Sequence, residues 1–186
     1  QISEEAKSMG ANMGSGSGFD NMTLSINVLK KHLDKGYALM SDVLVNPTFP
    51  QEELDRQKQS YLGRIAQENK QPGTVAQKAF LKALYGADHP YGRPQTGSGT
   101  ETSLAAITRD DLMNFYKTNY VQANAKIVMS GNITMAEAKT ALEKALKGWT
   151  ATGSPAMANL TEPAPLTKTQ VIIVDKPGAA QSAIMI

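Results

Sequence analysis

Only two histidines, His32 and His89, occur in the 186 residues, and neither has a partner at the i, i+4 spacing that holds zinc on one helix face. Neither HExxH nor its inverse HxxEH can be written anywhere in the chain. A site made of His32, His89 and a distant carboxylate is one reading, and solvated or hydrogen-bonded histidines are the plainer one. Cysteine is absent, which removes disulfides, thiolate zinc sites and cysteine nucleophiles. No GxSxG is present for a serine hydrolase. "GSGSG" at 14–18 lacks the lysine and the following helix of a phosphate loop, and "SGNIT" at 130–134 reads as a tight turn before a capped helix. In "SYLGRIAQENKQP" a solvated helical face carries Arg64, Gln67, Glu68 and Lys70, with Tyr61, Leu62 and Ile65 turned inward. The residues by themselves spell out no recognisable catalytic set.

The rest of the composition describes an ordinary globular chain, 41% hydrophobic and 19% charged. Net charge is +2, and the nearest approach to a basic patch is Lys30 with Lys31. That is too weak for a nucleic-acid footprint, and aromatics for base stacking are few. No apolar run reaches the roughly 20 residues needed to span a membrane.

The elements that would position these groups follow from spacing. "SEEAKSMG" predicts a short helix with Ser3 as N-cap and Gly10 as its stop. "NMTLSINV" alternates, so Met22, Leu24, Ile26 and Val28 share the buried face of a strand. The glycine–serine run before it is either a flexible linker or a weak edge strand beside a ligand. Helical spacing then places Leu33, Tyr37, Met40 and Leu44 on one stripe up to Pro47. A second helix starts at Pro50, with Leu54, Tyr61, Leu62 and Ile65 inward, and Pro72 and Gly73 end it. "TVAQKAFLKALYG" predicts a third helix, stopped by Gly86, before the loop "ADHPYGRPQTGSG". Capping boxes at Thr108/Asp111 and Thr134/Glu137 open two more helices, with "AKIVMSG" between them as a short buried strand. Residues 150–168 read as an extended linker, and "QVIIVDKPGAAQSAIMI" as two apolar strands around a "DKPG" turn. The expected fold class is α+β, an antiparallel sheet covered by helices on one side. The expected map is one domain over 1–149, a linker over 150–168 and the first strands of a second, similar domain over 169–186. The polypeptide is expected to extend beyond both ends of the chain.

Several phrases, in their order, resemble one family. They are "EEAKSMGANM", "LDKGYALMSDVLVNPTFPQEELDRQKQSYLGRI", "LYGADHPYGRPQTG", "SLAAITRDDLMNFYKTNYVQANAKIVMSGNIT" and "QVIIVDKPGAAQSAIMI". Together they are similar to the insulinase/pitrilysin-type zinc metallopeptidases, most of all the bacterial and mitochondrial-processing-peptidase branch. The resemblance implies paired α+β domains that close around a peptide chamber. It implies a zinc site in catalytic members, with two histidines and a base from HxxEH and a glutamate from a later helix. HxxEH would fall on the order of a dozen residues before Gln1. The later helix is present, and its glutamate position is occupied by Arg64. The neighbours Gly63 and Ile65 cannot replace the glutamate, and Glu68 lies a full turn on. Where catalytic members carry Asn-Ala-x-Thr on an edge strand, this chain has Gly14, Ser15, Gly16 and Ser17.

The resemblance therefore implies a metal-free, non-catalytic domain or subunit, with no catalytic residues and no metal ligands of its own. Zinc would belong to a catalytic partner domain or subunit in a dimer-like assembly. Extended peptide would lie along Gly14, Ser15, Gly16 and Ser17. A bacterial, periplasmic or secreted setting is expected, with no nucleic acid and no membrane span. Two alternatives stay open: a structural or assembly subunit without peptide binding, and an active zinc peptidase whose HxxEH lies upstream.

Overall fold

The computed structural model describes residues 2–153 and 160–186. Its class is the α+β expected, with a two-stranded antiparallel sheet and seven α-helices among the described residues. The chain divides into two units, Gln1–Phe49 with Leu112–Ala156, and Pro50–Asp111 with Met157–Ile186.

In the first unit, α1 (Ile2–Ser8) ends where Gly10 takes φ +62°, a conformation that glycine adopts without strain. The chain then enters β1 (Asn12–Ser17), turns, and returns as β2 (Met22–Asn27), paired from Asn12↔Asn27 to Ser17↔Met22. The alternation in β2 leaves Leu24, Ile26 and then Val28 half-buried as predicted, but Met22, expected on the same face, is exposed at the strand's start. Helix α2 (Leu33–Val45) packs on β2, and Gly36 makes that possible. A Cβ at Gly36 would stand 3.1 Å from Val28 Cγ1 and 3.3 Å from Ile26 Cδ1, so a larger residue would require those side chains to give way by a few tenths of an ångström. Ala6, Met9, Ala11 and Leu39 close this core against Ile26 and Val28.

From Leu112 on, α6 (Arg109–Asn119) also belongs to this unit and presents Tyr116, whose hydroxyl donates to Leu44 O at 2.6 Å. Trp149 is buried and its Nε1–H donates to Tyr120 O at 3.0 Å. The predicted capping box at Thr134 and Glu137 opens α7 (Met135–Ala145), which packs along α2.

The second unit contains α3 (Gln51–Glu68), α4 (Pro72–Tyr85) and α5 (Glu101–Ala106). Pro72 does not merely break α3: with its fixed φ and missing N–H it sits in the first turn of α4. Helix α5 was not foreseen. Its signal is a local box, in which Thr100 and Ser103 cap each other reciprocally.

Two expectations need correction. Residues 125–131 form no strand, and Val128 is 92% exposed rather than buried. "QVIIV" and "SAIMI" likewise run without strand pairing, although Ala179 N–H donates to Lys176 O in the foreseen turn. Apolar content alone makes no strand, because the ladder needs a partner and none pairs with these segments among the described residues. Of the expected linker 150–168, residues 154–159 lie outside the described residues.

Candidate functional site

The first candidate is the strand edge at Gly14, Ser15, Gly16 and Ser17. These residues belong to β1, not to a linker, and all four are exposed. The turn fixes which backbone groups are open. Gly18 N–H donates to Asn21 O at 2.9 Å, which makes 18 and 21 a hydrogen-bonded pair. Counting back through the register, Gly16 pairs this way with Thr23 and Gly14 with Ser25. Ser25 Oγ adds a long 3.4 Å contact to Gly14 O. The N–H and C=O groups of Met13, Ser15 and Ser17 therefore point away from β2, along an edge that no other strand covers among the described residues.

The second candidate is the latter half of α3. Ile65 is 3% exposed and anchors the helix in its unit, while Arg64 is turned to solvent. The Arg64 guanidinium lies over the Tyr61 ring, 4.9 Å from its centroid, within cation–π range. Glu68 departs from expectation: it lies not on the solvated face but inside, 8% exposed. Ser98 Oγ, itself 3% exposed, donates to Glu68 Oε1 at 2.7 Å. Lys78 Nζ stands 2.9 Å from Oε2, an ion pair not aligned as a directed hydrogen bond. Burial raises the Glu68 pKa, but Lys78, Ser98 and Thr96 outweigh it and hold the carboxyl below its ordinary value. Sequence reading missed this network because Lys78 and Ser98 arrive from later in the chain.

The histidines are placed locally. His32 ends a short 3₁₀ turn, Lys30–His32, and makes no side-chain cap to α2. His89 stacks against Tyr85, ring centroids 5.2 Å apart, and its Nδ1 accepts from Tyr91 N–H at 3.1 Å. That bond holds the turn Pro90–Gly92, where a Cβ on Gly92 would collide with the Gly86 carbonyl. Among the described residues, no three His, Asp or Glu gather closely enough to hold a metal ion. At the position where the resemblance implies a glutamate ligand, the guanidinium of Arg64 has no lone pair to donate and a permanent positive charge. The donor set does not fit zinc. No helix among the described residues is long and apolar enough to cross a membrane.

Comparison with known proteins agrees on both halves of the chain. Residues 1–97 match the family described as Insulinase (Peptidase family M16), and residues 106–186 match the Peptidase M16 inactive domain. An uncharacterized zinc protease of Rickettsia felis is 26% identical over 133 residues, covering 72% of this chain and 32% of the relative. A probable mitochondrial-processing peptidase subunit beta of Arabidopsis thaliana is 25% identical over 177 residues, 94% of this chain and 32% of the relative. The crystal structure of a peptidase M16 inactive domain from Pseudomonas fluorescens superposes with a TM-score of 0.78 at 26% identity. That likeness covers 88% of this chain and 39% of the other. The chain thus spans about a third of the length of these curated relatives.

Proposed function

The chain belongs to the insulinase family of peptidases, peptidase family M16, and from that premise we propose that it is a non-catalytic part of a zinc-dependent enzyme. In this reading it forms one wall of a peptide chamber, opposite a catalytic domain or subunit that carries the zinc, in a dimer-like assembly. The observation that carries the reading is Arg64, a cation exposed on α3 where a catalytic relative needs a carboxylate ligand. We place the assembled enzyme in the periplasm or outside the cell of a bacterium. The same reading takes 1–149 as the inactive domain, 150–168 as the connection and 169–186 as the start of a similar domain. Limited proteolysis that cuts first within 150–168 supports this map, and early cutting inside α7 contradicts it.

The work of this wall is to hold extended peptide. Met13, Ser15 and Ser17 offer outward backbone donors and acceptors, and the glycines between them leave no side chain to obstruct an added strand. The register also chooses the test. Proline at Gly16 removes an N–H that binds Thr23 and damages the hairpin itself, whereas proline at Ser15 removes only an outward N–H. Ser15→Pro is expected to weaken binding of an extended peptide about three- to tenfold, the value of one net backbone hydrogen bond, with the thermal midpoint nearly unchanged. Titration calorimetry with the catalytic partner present reads the effect. Unchanged affinity in a folded Ser15→Pro variant removes the edge from the reading.

A further inference from the structure

Helix α3 carries three basic side chains, and two of them are committed to oxygen atoms. Arg56 donates to Glu53 Oε2 at 2.7 and 3.0 Å, and Lys58 Nζ donates to Ala105 O at 3.1 Å. Arg64 has only the Tyr61 ring, and no oxygen partner among the described residues. The nearest downstream acid, Glu68, is turned inward and held by Ser98 and Lys78. The face around Arg64 is Ser60, Gly63, Arg64 and Gln67, all exposed, at i, i+3, i+4 and i+7, with no carboxylate among them. Gly63 lies in the helix interior, where glycine costs stability, and a Cβ there would meet nothing within 4 Å. Packing does not require this glycine, and its effect is to leave bare backbone beside the guanidinium.

We propose that Arg64, steadied by Tyr61, is a receiving site for a peptide carboxylate, either an acidic side chain or a free C-terminus. A guanidinium held over an aromatic ring loses less freedom on binding than a free one, and its N–H donors form the fork that matches a carboxylate. Charge-assisted bidentate pairs of this kind are the stronger hydrogen bonds. The position that serves metal in a catalytic relative would here serve the peptide through a fixed organic cation. This rests on the peptide-binding reading above and adds acidic peptides to it as the substrate class.

The test titrates the 186-residue chain with acetyl-Ala-Ala-Glu-Ala-Ala-amide, the same peptide with Gln for Glu, and acetyl-pentaalanine with a free carboxyl end. The side-chain Nε–Hε signal of Arg64 is followed by NMR, and affinities are compared in wild type, Arg64→Gln and Arg64→Lys. The Arg64 signal is expected to move with either carboxylate peptide and not with the Gln amide; which of the two moves it more identifies the source. Wild type should prefer Glu over Gln about three- to tenfold, Arg64→Lys should keep part of that preference and Arg64→Gln none. Equal affinity for Glu and Gln peptides in wild type, or a Glu preference that survives in Arg64→Gln, overturns the assignment. In that outcome, Gln-peptide binding that is still sensitive to Ser15→Pro leaves the strand-edge reading standing. A moving Arg64 signal with indifference to Ser15→Pro supports the carboxylate site and removes the edge. If no peptide binds and the Arg64 signal stays fixed, the carboxylate assignment falls, while the strand edge is judged by its own titration with the catalytic partner present.

Discussion

Arg64 and Glu68 are one turn apart on α3, yet one is bathed in solvent and the other is buried with a charge on it. Helical periodicity alone would treat them as neighbours on one surface. The difference lies in what covers each turn. Ser98 and Lys78 close over Glu68, while nothing among the described residues supplies an oxygen to Arg64. The inward charge is structural, because Ser98 bonds one carboxylate oxygen and Lys78 neutralises the other, and the outward charge is available for something else.

Removing the inward charge should have the largest effect. Glu68→Ala leaves Ser98 Oγ without its acceptor and Lys78 without its counter-charge, and should cost about 2–3 kcal/mol in urea unfolding. Arg64→Ala should cost less than about 0.5 kcal/mol, as surface substitutions do. Equal losses would erase the contrast between the two positions.

Acid sharpens the same contrast. The folded-state pKa of Glu68 lies below its ordinary 4.5, so its contribution is complete above that value and is lost as pH falls through the folded pKa. Asp111 and Glu137, held low by Thr108 and Thr134 respectively, act in the same direction. Stability should therefore fall with pH below about 4.5. In Lys78→Met the main opposition to burial is gone, the Glu68 carboxyl takes up its proton more readily, and the acid loss should be shallower than in wild type. Parallel pH profiles would show that Lys78 does not hold the carboxylate. The smallest effect is expected from Arg64→Glu, which sets two acids at i, i+4 and should cost about 0.2–0.5 kcal/mol without creating peptidase activity.

Much of this was legible in the sequence. Pro50 opening α3, the Thr134/Glu137 box and the alternation of β2 are local signals, and each appears where it was read. The burial of Glu68 was not legible, because its partners lie 10 and 30 residues further along. The state of Gly14–Ser17 stayed open for a related reason: a glycine–serine run has little preference of its own, and pairing with 22–25 makes it a strand. The reverse error occurred at 125–131, where apolar residues suggested a buried strand that finds no partner among the described residues. At Arg64 the residue type could be read directly. Its lack of an oxygen partner needed the structure.

The measurement that bears most directly on the account is zinc titration of metal-stripped protein by calorimetry, with peptide hydrolysis assayed on the same samples. A non-catalytic chain with Arg64 in the ligand position is expected to show no stoichiometric binding and no cleavage, and Arg64→Glu is expected to behave the same way. Binding of about one zinc per chain, together with cleavage that a chelator abolishes, would contradict the account.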